Sequence, residues 1–219
     1  YLRWKRDERF YEAHVHGGDL HYYGFPVIGT HIMALGHTDV LSFACTTGGP
    51  DCADVYEERL HPDDPTRYEY DGKWLPVEVE DLKITVREGD STFTVPSQVE
   101  RTHHGPIVRR DGKTAYAVKT AYDNEIGLLD QWLRMIKSRN LSEFRAALRM
   151  NQSLPQNIMY ADIHGDSYYV RAGRVPVRAE GYPTDRPLPG WTSATEWRGI
   201  HPLEDLVQIE NPGSGFMQN

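Results

Sequence analysis

The feature that most constrains how this chain can fold is a change of hydrophobic period near residue 120. Before it, apolar residues come in short, often alternating runs separated by turn-forming residues, the pattern of half-buried strands. Strands are predicted at Glu12–Val15, His21–Tyr23, Ile32–Leu35, Val40–Ala44 and Asp54–Glu58. Asp71-Gly72 between Tyr68–Tyr70 and Lys73–Pro76 is a hairpin signal. Two more hairpins are predicted, Leu82–Val86 with Thr92–Val95 across Glu88-Gly89-Asp90, and Ile107–Arg109 with Thr114–Lys119 across Asp111-Gly112. Then Ile126, Leu128, Leu129, Trp132, Leu133 and Ile136 fall at helical spacing, with Asp123 or Asn124 as N-cap and Lys137 and Arg139 at the C-terminal end. Ser142 is expected to cap a shorter helix through about Met150. Strands return at Asn157–Ile163 and Ser167–Arg171, and from Pro176 onward prolines and glycines predict a wrapping tail. The class is therefore α+β, mostly antiparallel strands with two consecutive helices. Residues 1–120 are mainly β, 121–151 helical, and 152–219 strands and loops; no linker composition precedes Arg174, so residues 1–219 are expected to form a single segment.

Composition removes several function classes. With 24 basic against 32 acidic residues the net charge is -8, and no basic stripe suits nucleic acid. No apolar run reaches the roughly 20 residues of a membrane span. Cys45 and Cys52 read as two small core residues or a local disulfide. The 10 histidines invite a metal reading, since His14 and His16 share a strand face and His21, His31 and His37 follow. No HExxH, CxxC or ligand pair at helical spacing supports zinc, so surface or rim histidines are expected. His103-His104 before Gly105-Pro106 reads first as a turn, and Trp132 on an apolar helical face as core. There is no GxSxG nucleophile elbow, no phosphate-cradling loop and no dinucleotide fingerprint in strand–helix context.

One stretch resists a purely structural reading. In GHTDVLSFACTTGGPDCADVYEERL, Gly36 to Leu60, an apolar strand runs into Thr46-Thr47-Gly48-Gly49-Pro50 and then into two carboxylates, Asp51 and Asp54. By itself it could be a turn followed by solvated acids. Other pieces accompany it in order: RYEYDGKW at Arg67–Trp74, THHGPIV at Thr102–Val108, TAYAVKTAYD before the Trp132 helix, NIMYADIHGDSYYVRAG at Asn157–Gly173, and NPGSGFMQN at the end. Together they resemble the penicillin acylase family of N-terminal-nucleophile amide hydrolases, which includes acyl-homoserine-lactone acylases, from about Glu12 to Asn219.

That resemblance implies part of a four-layer αββα sandwich and cleavage of an N-acyl amide by the N-terminal Ser of a self-processed β-chain, with its own α-amine as base. It places the backbone oxyanion donor at Thr47, where Gly48-Gly49 suits close approach to substrate. It places pocket-lining residues at Leu35, Cys45, Trp132 and Gln156. It implies a calcium site with Asp51 and Asp54 ligating by side chain and Ala53 and Thr184 by carbonyl. Tyr1 is no such nucleophile, and Phe216-Met217-Gln218-Asn219 matches the run just before the family's side-chain oxyanion donor. The expectation is therefore a central β-chain piece, inactive alone, whose partners are the α-chain and remaining β-chain of one precursor and a small acyl amide, in the periplasm or secreted. A non-catalytic scaffold or binding module keeping the fold is the alternative; a metal enzyme using the histidine-rich first forty residues is a third reading.

Overall fold

The computed structural model describes residues 10–26, 29 and 33–218. Expectations for Tyr1, His31, Ile32 and Asn219 lie outside the described residues. In chain order the strands are β1 (Ala13–Gly17), β2 (Leu20–Pro26), β3 (Met33–Thr38), β4 (Leu41–Thr47), β5 (Ala53–Arg59), β6 (Arg67–Tyr70), β7 (Lys73–Pro76), β8 (Glu78–Glu88), β9 (Ser91–Thr102), β10 (Gly105–Asp111) and β11 (Thr114–Thr120). Helices α1 (Leu128–Lys137) and α2 (Leu141–Leu148) follow, then β12 (Gln156–Asp162), β13 (Ser167–Ala172), β14 (Leu188–Pro189) and β15 (Gln208–Glu210). Among the described residues no helix is long and apolar enough to cross a membrane.

The chain divides into two compact units, residues 1–52, 124–175 and 200–219 in one, and 53–123 and 176–199 in the other. None of the crossings has a linker's composition, so the sequence carries no sign of the division.

The first unit holds a seven-stranded sheet in the order β1-β2-β3-β4-β12-β13-β15, antiparallel throughout. One face is covered by the helices. Leu41 and Phe43 of β4, Ile158 and Tyr160 of β12, and Tyr168, Val170 and Ala172 of β13 alternate onto that face and pack with Trp132, Met135, Ile136, Phe144 and Leu148. Phe43 meets Trp132 edge-on at 6.5 Å between centroids and lies 5.5 Å from Phe144, which lies 4.5 Å from Tyr160. These spacings are those of favourable aromatic pairs.

Both helix starts differ from the sequence expectation. Asn124 sits at φ 61 in a turn, and α1 begins later, with Gly127 as N-cap. The Gly127 N–H donates to Gln152 Oε1 at 2.9 Å, and buried Gln131 donates to Ser153 Oγ and accepts from the Gln152 N–H. Tertiary hydrogen bonds thus fasten the start of α1, which has no side-chain cap of its own. Ile126 and Leu129, expected on the apolar face, are exposed, and Gln131 and Met135 take the core side. Helix α2 is capped by Asn140 rather than Ser142: Asn140 Oδ1 accepts from the Glu143 N–H at 3.0 Å, and Glu143 reaches back to the Arg139 N–H at 2.8 Å.

The second unit is built on a six-stranded sheet in the order β14-β5-β11-β10-β9-β8, with only β14 parallel to its neighbour, and the separate β6–β7 hairpin. All three expected hairpins form, and β8 and β9 are longer than the alternation suggested, in register from Glu78↔Arg101 to Glu88↔Ser91. A small core of Leu60, Tyr68, Val77 and Ala115 lies under the β6–β7 hairpin.

The cap assignment has a direct test in urea unfolding of the intact protein. Asn140→Ala is expected to cost about 1 kcal/mol, and Ser142→Ala to stay within about 0.5 kcal/mol of the parent. Equal costs would mean that Asn140 does not carry the cap.

Candidate active-site wall

Strand β4 delivers Thr47 to the edge of a turn that is held far more tightly than its composition suggests. In the β4–β12 ladder Thr47 is the partner of Gln156, Thr46 of Asn157 and Cys45 of Ile158. Buried Asn157 donates to the Thr47 carbonyl at 3.0 Å and to Thr46 Oγ1 at 3.3 Å, and its own Oδ1 accepts from the Tyr169 hydroxyl at 2.8 Å. Arg171 reaches the carbonyls of Gly48 and Gly49 at 3.3 and 3.1 Å. Gly49 lies so close to β12 that a Cβ there would stand 2.2 Å from the Gln156 nitrogen and the Pro155 carbonyl carbon. Only glycine allows that approach. The turn is bare backbone, but fixed by three side chains that the sequence reading did not single out. Their one visible sign was Asn157 in an otherwise apolar strand run.

The four expected pocket residues divide between the two faces of this sheet. Cys45 packs against the helix-side core that contains Trp132, and Gln156, as the partner of Thr47, shares that face. Trp132 Nε1 and Gln156 Oε1 are buried and have no hydrogen-bond partner among the described residues. Leu35 is the partner of Ala44 and so faces the other way. It lines a groove of about 530 Å³ with Ala44, Met159, Phe216 and Met217. The C-terminal run is tied to the start of β13 by Asn211, which accepts from the Ser167 N–H at 2.7 Å and donates to Asp166 at 2.9 Å. Cys45 and Cys52 are thiols not joined in a disulfide, and burial pushes Cys45 up to about 12. Cys45 is therefore a neutral thiol at ordinary pH rather than a reactive thiolate.

The acidic run lands differently. Asp51 is exposed at the end of the first unit's segment, whereas Ala53, Asp54 and Thr184 belong to the second unit. Asp54 is buried, and its Oδ2 accepts from Arg178 Nε at 2.8 Å and from Trp197 Nε1 at 2.7 Å. Arg178 also approaches the Ala53 carbonyl at 3.4 Å.

The Thr102–Gly105 motif is the centre of a buried charge network. His104, with a fully buried side chain, sits between two carboxylates: Nδ1 is 2.8 Å from Glu58 Oε1 and Nε2 is 2.9 Å from Glu196 Oε1. Thr102 Oγ1 donates to Glu58, while His103 Nε2 and Lys119 Nζ meet Glu196 at 3.0 and 2.7 Å. Tyr56 stacks flat on His104 at 3.7 Å. An imidazole can donate from both nitrogens only as a cation. Burial alone pulls His104 down, but the bonds to Glu196 and Glu58 outweigh it and raise its pKa. Glu196 is pulled up by burial and, more strongly, down by His103, His104 and Lys119, ending well below the usual carboxylate range. Gly105, at φ +135, follows because a Cβ there would meet the Val118 carbonyl oxygen at 2.1 Å. The expected turn is thus also an electrostatic strut.

The penicillin amidase family model matches residues 1–219. The chain belongs to that family. It is 35% identical to penicillin G acylase of Escherichia coli over 216 residues, covering 94% of this chain and 25% of that protein. It is 26% identical to the acyl-homoserine lactone acylase PvdQ of Pseudomonas putida over 245 aligned residues, 99% of this chain and 31% of the relative. The structure superposes on a thermostable penicillin G acylase from Alcaligenes faecalis with a TM-score of 0.88 at 28% identity, covering 96% of this chain and 38% of that one. The mostly antiparallel architecture is thus that of the N-terminal-nucleophile hydrolases. The chain spans about a quarter to a third of the length of these curated relatives.

The strut has a pH signature. Glu196 is depressed, so its contribution is present above its unfolded value of 4.5 and fades as pH falls below it toward the folded value. His104 is raised, so its contribution is full below its unfolded value of 6.5 and is lost as pH rises through the folded value. The stability gap between the parent and Glu196→Gln, measured by urea unfolding from pH 4 to 8, is therefore expected to be widest between pH 4.5 and 6.5. A gap independent of pH would mean that the network is not ionised as described.

Proposed function

We propose that the intact protein hydrolyses an N-acyl amide, R-CO-NH-R′, to a carboxylic acid and an amine, and that these 219 residues supply one wall of its active site. The observation that carries the reading is the clamped turn at Thr47. A backbone N–H stabilises an oxyanion only if it is aimed before the reaction begins. Asn157 and Arg171 hold the carbonyls of Thr47, Gly48 and Gly49, which limits how far that segment can swing. In this reading the Thr47 N–H is one oxyanion donor, and a Ser from another segment of the same precursor is the nucleophile, its α-amine serving as base.

Cys45, Trp132 and Gln156 then bound the acyl side from the helix face, and Leu35 contributes from the opposite face. The unpartnered Gln156 Oε1 and Trp132 Nε1 offer an acceptor and a donor to substrate or water. The relatives' names range from penicillin G to acyl-homoserine lactone acylases, and the substrate class is drawn from that range. The α-chain and the rest of the β-chain are the partners in this reading, and the periplasm or secretion is its location.

A structural calcium fits the donor chemistry of Asp51, Asp54, Ala53 and Thr184, all hard oxygens. Because Asp54 Oδ2 is engaged by Arg178 and Trp197, ligation through Asp54 calls for its other oxygen. Calcium titration of the intact protein by calorimetry is expected to show one equivalent that Asp51→Asn weakens; an unchanged isotherm in that variant would remove Asp51 from the ligand set.

The oxyanion assignment separates side chain from main chain. In the intact protein, assayed with a chromogenic acyl anilide, Thr47→Ala keeps the N–H and is expected to lose less than about tenfold in kcat. Thr47→Pro removes it and is expected to lose about 100- to 1000-fold. The comparison is made on material that still self-processes and melts near the parent, since Pro also fixes φ. Equal large losses in both variants would move the role to the hydroxyl.

A further inference from the structure

We propose that the β1–β2 hairpin carries a zinc site made by His14, His16 and His21, with Asp39 orienting His21. The residues come together through strand geometry. His14 and His16 are two apart on β1 and share a face, and His16 is the cross-strand partner of His21 on β2. One ring nitrogen from each of the three histidines lies within 4.8 Å of the others. His14 Nε2 and His21 Nε2 are 3.0 Å apart. Tetrahedral zinc with Zn–N bonds of about 2.0–2.1 Å sets its nitrogens about 3.3 Å apart. The pair therefore needs only a few tenths of an ångström of relaxation at the His14–His21 edge, and exposed side chains can turn to close the other two.

Asp39 supplies what a chance histidine cluster lacks. Its Oδ2 is 3.0 Å from His21 Nδ1. A carboxylate there draws the proton to Nδ1 and leaves the Nε2 lone pair pointing at His14. This carboxylate–histidine pairing is the usual outer support of a zinc ligand. Three imidazoles leave the fourth position to water.

The other histidine cluster shows the contrast. Both nitrogens of His104 are already taken by Glu58 and Glu196, and the Lys119 ammonium lies 2.7 Å from Glu196. Neither nitrogen of His104 is therefore open to a metal, and the site already holds the Lys119 cation. At the hairpin no Lys or Arg is paired with Asp39 or the three histidines among the described ion pairs.

Isothermal titration of the tag-free intact protein with zinc chloride tests the site, with cobalt(II) as a spectroscopic probe of four-coordinate geometry. One equivalent is expected that is lost in both His14→Ala and His21→Ala. Asp39→Asn is expected to keep the equivalent but weaken it about 10- to 100-fold, the scale for losing an outer-shell partner. Circular dichroism of each variant should match the parent, since the three rings lie at the surface. An unchanged equivalent in His21→Ala, or a cobalt spectrum that the His14 and His21 substitutions do not alter, overturns the proposal.

Discussion

The antiparallel ladder between β4 and β12 is the constraint on which the rest of the first unit depends. It joins residues 41–47 to 156–162, more than a hundred positions apart, so its loop-closure entropy is met only when the intervening chain has folded. Once formed, it sets everything near Thr47 in register. A slip by one residue would turn Phe43 and Ile158 away from the helices and put Asn157 into the apolar core. The aromatic contacts from Phe43 to Trp132 and Phe144 penalise that slip, so the packing that stabilises the unit also aims the turn.

The second unit is held by a different kind of interaction at its centre. Glu58 and His104 have fully buried side chains, and a lone ion in such a place would be far too costly. They are tolerated because each charge faces an opposite one, and because Thr102, His103 and Lys119 supply further donors. Removing Glu58 or Glu196 takes one of the two carboxylates from the buried His104, so the network ties β5, β11 and the Glu196 segment to a single arrangement. Tyr56, stacked on His104, adds an apolar lid over the charge.

Much of this architecture was legible from residue order. The three hairpins follow from turn residues between alternating runs, and all form where expected. The two helices follow from a change in period. The strands β12 and β13 follow from a repeat of the earlier pattern around His164-Gly165-Asp166. The break after β4 was legible as well, because Gly48-Gly49-Pro50 cannot continue a strand, and β4 ends at Thr47. Helix starts were less so: Asn124 and Ser142 are chemically good caps, but Gln152 and Asn140 hold the first turns instead.

The sequence by itself determined most of the strands, both helices and the family to which the chain belongs, because period, turn residues and motif order are local properties; the short strands β14 and β15 lie in what reads as a wrapping tail and exist only through their pairing with β5 and β13. Only the tertiary structure decided that Asn157, Tyr169 and Arg171 fasten the Thr47 turn, that Leu35 lies on the opposite face from Cys45, and that a His-His pair reading as a turn is a buried ionic strut. The physical reason is common to all three. A side chain's partner is set by strand register and by which face it occupies, and both are fixed by pairings between segments far apart in the chain.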